Sequence, residues 1–204
     1  MVERYSGGTV LAMTGKDCVA IASDLRLGEQ MLTVETEKEK IYKISDKIYL
    51  GMAGLATDCQ TVVDRLRFRT DLYKLRENRP IKCRVLAKIL SNLLYEHRFG
   101  PYFLEPVVAG LDPGSGVPYV CNMDLFGCLS EPKDFVVAGT AAEGLFGVCE
   151  SFYRENMDAE ALFEAAAQSL LSGLERDAPS GWGAVVYLIT KEKVTAKTIK
   201  SRLD

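Results

Sequence analysis

Apolar residues recur along this chain at two spacings, and the change from one to the other divides it into elements. Residues 9–13, 18–23, 41–44 and 48–52 are short apolar runs bounded by Gly, Asp and Lys, the pattern of strands. The period then lengthens. Leu55, Cys59, Val62, Val63, Leu66 and Arg67 fall on one helical face, and Val85, Leu86, Ile89, Leu90, Leu93 and Leu94 on a second, with Asn78-Arg79-Pro80 as the break between them. Strands return at 107–111 and 119–123 around the turn Asp112-Pro113-Gly114-Ser115-Gly116, and again at 135–138. Residues 142–152 and 159–175 read as helices, the second with Asp158 as N-cap, and 184–189 and 194–199 form a hairpin about Lys191-Glu192-Lys193. The strands are mostly apolar rather than alternating, so both faces of each sheet are covered. The pattern predicts an α+β chain of one domain, residues 1–204, with two antiparallel sheets stacked face to face and helix pairs outside.

Composition narrows the chemistry. A chain of 204 residues buries a substantial core, and a net charge of −3 offers no basic field for nucleic acid or an anionic membrane. The six cysteines (Cys18, Cys59, Cys83, Cys121, Cys128, Cys149) stand apart, with no C-x-x-C spacing and a single histidine, His97. They read as buried free thiols in a reducing compartment, implying no zinc site, disulfide framework or cofactor. Residues 1–8 lack the apolar core of a secretory signal and no stretch approaches a membrane span, so the expectation is a soluble intracellular protein. His97 sits at a predicted helix end, where a dipole or cap interaction is its ordinary role. The glycines of Gly139-Thr140-Ala141-Ala142-Glu143-Gly144 have no lysine for a phosphate and read as a strand-to-helix turn.

What remains is a set of charges around the first hairpin. Gly7-Gly8-Thr9-Val10 opens an apolar strand, Thr14-Gly15-Lys16-Asp17 turns it, and Ala22-Ser23-Asp24-Leu25-Arg26 follows on the return, with Lys40 beyond. This arrangement resembles the N-terminal hairpin of proteasome beta subunits, whose active members begin the mature chain with a catalytic threonine. An ungapped alignment on Asp24 and Arg26 puts Gly8 at the threonine's position. A terminal threonine supplies a hydroxyl nucleophile and, in its free amine, the base that activates it; glycine supplies no hydroxyl. Lys40 and Asp24 match the supporting lysine and aspartate. Asp177 and Ser180, in Arg176-Asp177-Ala178-Pro179-Ser180-Gly181, match the residues beside the amine, and Gly54 matches the oxyanion donor. Ala142 stands where active members carry serine. The resemblance therefore implies a four-layer αββα sandwich of the N-terminal nucleophile hydrolase kind, without a catalytic residue of its own. The ordinary reading of Asp24, Arg26 and Lys40 is a solvated loop and a surface charge run, or, within the family, a buried ion pair that fixes strand packing.

Two other readings stay open. Removal of residues 1–8 would expose Thr9 as an active nucleophile, but a one-residue shift along a strand turns its side chain away from Asp24 and Lys40 unless a bulge intervenes. A stand-alone binding protein of the same fold is the other. Segments 15–22, 54–58, 72–75, 94–102 and 149–151 are similar to one non-catalytic beta type, and imply a place in the 20S core particle among other alpha and beta subunits, between beta type-2 and beta type-4. The family's particle degrades polypeptides in an ATP- and ubiquitin-dependent way in cytoplasm and nucleus. Phe99-Gly100-Pro101-Tyr102-Phe103 is a candidate contact surface or a buried loop. Asp124-Leu125-Phe126-Gly127-Cys128 is similar to a segment that reaches the neighbouring beta type-2 substrate pocket; Asp124 would there favour basic side chains, or else serve as a turn residue with Cys128 a core thiol.

Overall fold

The computed structural model describes residues 2–203. Twelve strands and four α-helices follow a 3-10 turn at Val2–Arg4. The first hairpin, β1 (Thr9–Gly15) and β2 (Cys18–Asp24), leads to a small hairpin, β3 (Leu27–Glu29) and β4 (Leu32–Glu35). Next come β5 (Ile41–Ser45), β6 (Ile48–Gly54), α1 (Ala56–Glu77), α2 (Cys83–Tyr95), β7 (Leu104–Leu111), β8 (Pro118–Met123) and β9 (Leu129–Ser130). The chain continues through β10 (Phe135–Gly139), α3 (Ala142–Phe152), α4 (Ala159–Leu174), β11 (Ala184–Thr190) and β12 (Val194–Ile199). One sheet runs β10-β1-β2-β11-β12 and the other β5-β6-β7-β8-β9, with β3 and β4 paired apart, and every pairing is antiparallel.

Three apolar layers hold the sandwich together. Along β1, Leu11 and Met13 pack under α3 and α4 with Leu145, Leu162 and Leu170, whereas Val10 and Ala12 face the other sheet with Tyr49, Val107 and Val120. On β6, Leu50 and Met52 turn outward to Val62, Leu66, Leu86 and Leu90 of α1 and α2. Strand side chains alternate between faces, so an unbroken apolar strand feeds two cores at once. The sheets approach closely where Gly51 lies: a Cβ there would stand 2.5 Å from Val10 Cγ1. The predicted α+β sandwich of stacked sheets and flanking helix pairs is the observed architecture.

Helix ends follow local chemistry. Asn78 closes α1 in the left-handed region (φ 51°), its N–H donating to the Lys74 carbonyl, with Pro80 just beyond. Asp158 caps α4 by accepting the Ala161 N–H at 2.8 Å. At the start of α2 the cap comes from a distant turn, Asp112 Oδ1 accepting the Cys83 N–H at 2.8 Å.

Candidate functional site

Position 8 and the residues around it sit where the first sheet meets the second. Val10 and Ala12 face the opposite sheet, and Gly8 continues that face; Thr9 belongs with Leu11 and Met13 on the helix side. The register of β1 against β2 and β10 runs without a bulge. Thr9 is fully buried and its hydroxyl accepts the Ala141 N–H at 3.2 Å, tying it to the start of α3. Gly8, at φ 112°, points the other way. A Cβ built on it would stand 2.5 Å from Lys40 Cε and 3.5 Å from Asp24 Oδ1, so the lysine stem fills the space that a side chain at position 8 would need.

Asp24 is the centre of this arrangement. Its Oδ1 accepts the Thr9 N–H at 2.9 Å and pairs with Lys40 Nζ at 2.9 Å, while Oδ2 accepts the N–H groups of Arg26 at 3.2 Å and Gly181 at 3.1 Å. Lys40 Nζ also donates to the Asp24 carbonyl at 3.1 Å. The pair is buried, with side-chain exposures of 8% and 0%. The solvated-loop reading of these charges is therefore wrong: all three are buried, Asp24 at the end of β2, Arg26 two residues on and Lys40 just before β5. Arg26, equally buried, spends its guanidinium on neutral acceptors, the Thr33 hydroxyl at 3.0 Å and the carbonyls of Pro179 at 2.7 Å and Gln30 at 3.2 Å.

Asp177 and Ser180 connect to Gly8 through Thr140. Asp177 Oδ2 accepts from the Thr140 hydroxyl at 2.6 Å and from the Ser180 hydroxyl, and the Thr140 N–H donates to the Gly8 carbonyl at 3.0 Å. Gly54, at φ 132°, ends β6 one residue after Ala53, which packs against Gly139 and thence the Gly8 backbone. Ala142 opens α3. The structure thus gathers Gly8, Asp24, Lys40, Asp177 and Ser180 from four parts of the chain. No hydroxyl points from position 8 toward Lys40. Sequence reasoning did not anticipate Thr140, whose hydroxyl donates to Asp177 while its backbone N–H donates to the Gly8 carbonyl, or Ser6, whose hydroxyl accepts the Ala56 N–H at 3.2 Å.

Asp124 and Cys128 form a separate, exposed site. Asp124 Oδ1 accepts the N–H groups of Phe126 at 2.9 Å and Cys128 at 2.8 Å, so it does organise a turn. The Gly127 carbonyl accepts from Ser91 of α2 at 2.6 Å, and Cys128 lines a cavity of about 480 Å³ with Tyr95, Arg98, Phe99 and Phe126. Cys128 is exposed, which corrects its reading as a core thiol; the other five cysteines are buried and all six are free. Burial pushes the Cys59 and Cys149 thiols up to about 12 and those of Cys18 and Cys121 to about 11. The His97 ring also differs from expectation: Arg65 Nη1 donates to its Nε2 at 3.0 Å and Tyr102 packs on it, while only its backbone N–H serves the end of α2. Phe99 is 97% exposed, so the loop that holds it is not a buried one at that residue.

A family model described as proteasome subunit matches residues 5–189. The chain belongs to the proteasome subunit family. Among curated proteins it is 60% identical over 203 residues to proteasome subunit beta type-3 of Caenorhabditis elegans, covering 100% of this chain and 99% of that protein. Subunits of the same printed name from Drosophila melanogaster and Saccharomyces cerevisiae are 54% and 52% identical, each covering 98% of this chain and 98% and 97% of their own lengths. A proteasome subunit assembles with other proteasome subunits, and this one presents exposed apolar side chains that such contacts could cover, among them Met31, Leu32, Phe68, Leu75 and Phe99. Among the described residues no helix is long and apolar enough to cross a membrane, and no group of His, Cys, Asp and Glu is placed to hold a metal.

Proposed function

We propose that this chain is a non-catalytic subunit of the beta ring of the 20S core particle, as the beta type-3 name of its relatives suggests. One observation carries the non-catalytic part: at the position facing Lys40 and Asp24 there is no side chain, and the Lys40 stem stands in its place. Without a hydroxyl there is no nucleophile to add to a peptide carbonyl. Asp24, Arg26, Lys40, Gly54, Asp177 and Ser180 are then structural remnants of a catalytic arrangement. The chain supports ATP- and ubiquitin-dependent degradation of polypeptides by its place in the ring, between beta type-2 and beta type-4, in cytoplasm and nucleus. Asp124 and Cys128 line the substrate pocket of the beta type-2 neighbour. The reading of Thr9 as an active nucleophile has the geometry against it, since its hydroxyl is buried against α3.

The test is native and intact mass spectrometry of the protein purified at its endogenous level. The expected result is a particle of many subunits in which this chain keeps the residues that precede Gly8. A chain beginning at Thr9 would overturn the non-catalytic reading, and a stable monomer would overturn the ring assignment.

A further inference from the structure

The chain between α4 and β11, residues 176–183, is fixed by two separate parts of the molecule. The end of β2 supplies the first hold. Asp24 Oδ2 accepts the Gly181 N–H at 3.1 Å, the Leu25 N–H donates to the Gly181 carbonyl at 3.3 Å, and Arg26 donates to the Pro179 carbonyl at 2.7 Å. The stretch after β12 supplies the second. The β11–β12 ladder ends at Ala184 and Ile199, and the next N–H of the loop, that of Gly183, donates to the Ser201 hydroxyl at 2.8 Å. Arg202 then pairs with Glu175, the C-cap of α4, at 2.6 Å. The conformation so held is a costly one. Gly181, Trp182 and Gly183 have φ of 137°, 61° and 114°, a region that glycine enters freely and tryptophan does not. A side-chain-bearing residue stays there only where its surroundings over-determine it. The loop also has room to leave, since Asp177, Ser180, Gly181, Ser201 and Arg202 line a cavity of about 360 Å³.

We propose that Ser201, steadied by the Arg202–Glu175 pair, is a latch on residues 180–183 that sets whether Asp24 keeps its Gly181 donor. With Ser201 displaced, Trp182 relaxes out of the left-handed region and the Gly181 N–H turns away from the carboxylate. An event at Arg202, which is exposed, is in this way carried to the buried Asp24–Lys40 pair. An exposed ion pair holds less firmly than a hydrogen bond to a loop amide, so the hydroxyl is the hold and the pair its guide.

Hydrogen exchange resolved to the amides of Gly181, Gly183 and Val186 in the assembled protein tests the latch. In the unmodified protein all three are expected to exchange slowly. Ser201→Ala should raise exchange about tenfold or more at Gly183 and Gly181 together, and leave Val186, inside β11, as it was. Gly181 is the deciding amide, because its partner is Asp24 and not the residue replaced. Glu175→Gln spares the hydroxyl and should raise both by about twofold, which keeps the proposal testable if the Ser201→Ala variant fails to assemble. In a Trp182→Gly background the strain is gone, so Ser201→Ala should quicken Gly183 alone. Faster exchange at Gly183 with Gly181 unchanged in Ser201→Ala would overturn the latch. So would solvent-like exchange at Gly181 in the unmodified protein, no change at either glycine in Glu175→Gln, or an undiminished Gly181 response in the Trp182→Gly background.

Discussion

Asp24 has no spare lone pair: two donors reach each of its oxygens. Asp24→Asn would set an NH2 group against one of those pairs of donors whichever way the amide turned, and strand the Lys40 charge. Removing one partner of a buried pair costs about 3 kcal/mol or more. Urea unfolding at sub-micromolar concentration checks this, read by the fluorescence of Trp182, the single tryptophan, next to Gly181; an unchanged midpoint would deny Asp24 a structural role. Gly8→Thr is expected to leave the chain unprocessed and without new peptidase activity, because the added side chain meets Lys40 before it can be activated; the intact mass and a peptidase assay of the variant report both. Burial holds the Cys59 and Cys149 thiols protonated at neutral pH, with thiolate appearing only as pH nears 12, and the thiolate is the reactive form. Iodoacetamide should therefore label Cys128 first in the folded free chain and lose that label on assembly if the residue enters a neighbour's pocket. At this scale the sequence made Gly8 legible, since a missing hydroxyl is visible in one letter. The Lys40 stem in its place was not, because it depends on backbone conformation at Gly8, and the exposure of Cys128 stood open between a pocket reading and a core reading.

Elements with two buried faces were the most readable. β1, β2, β6 and β11 are mostly apolar, and α4 announces itself by Asp158. The hairpin β3–β4 was missed. It is exposed, its turn passes through Gln30 at φ 56° rather than Gly or Asn, and its apolar Met31, Leu32 and Val34 face solvent. That hairpin borders the candidate site, where Arg26 reaches Thr33 and Gln30, so the sequence revealed the charges of the site but not one of its walls. The loop after β8 carries its own prediction. Asp124→Asn keeps the carbonyl oxygen that accepts from Phe126 and Cys128, so the turn should persist while the negative charge goes. If the loop lines the beta type-2 pocket, cleavage after basic residues should weaken several-fold through KM, from a contribution of about 1 kcal/mol, with other cleavages unchanged. Equal loss of every activity would assign Asp124 to architecture alone.

Over the whole molecule, the two sheets and four helices bury their apolar residues in three layers, yet Phe99, Met31, Leu75 and Phe68 remain 97%, 76%, 76% and 69% exposed. The free chain should self-associate at micromolar concentration, as analytical ultracentrifugation would show, and a monodisperse monomer would count against assembly in a ring. The pattern of elements gave an α+β chain and the resemblance its four-layer order, because strands apolar on both faces do not say which face meets which neighbour; the contacts that close the sandwich were not legible, because they join residues far apart. Asp24 accepts from Gly181, 157 positions away, and Thr140 reaches back 132 positions to the Gly8 carbonyl. Bonds spanning such separations form only after the intervening chain has collapsed, since the entropy of closing so long a loop is repaid last. The bond from Gly181 to Asp24 is therefore a late clasp in the folding of this chain, and loosening that bond should show in the speed with which the folded protein opens, while the speed of its formation stays nearly the same.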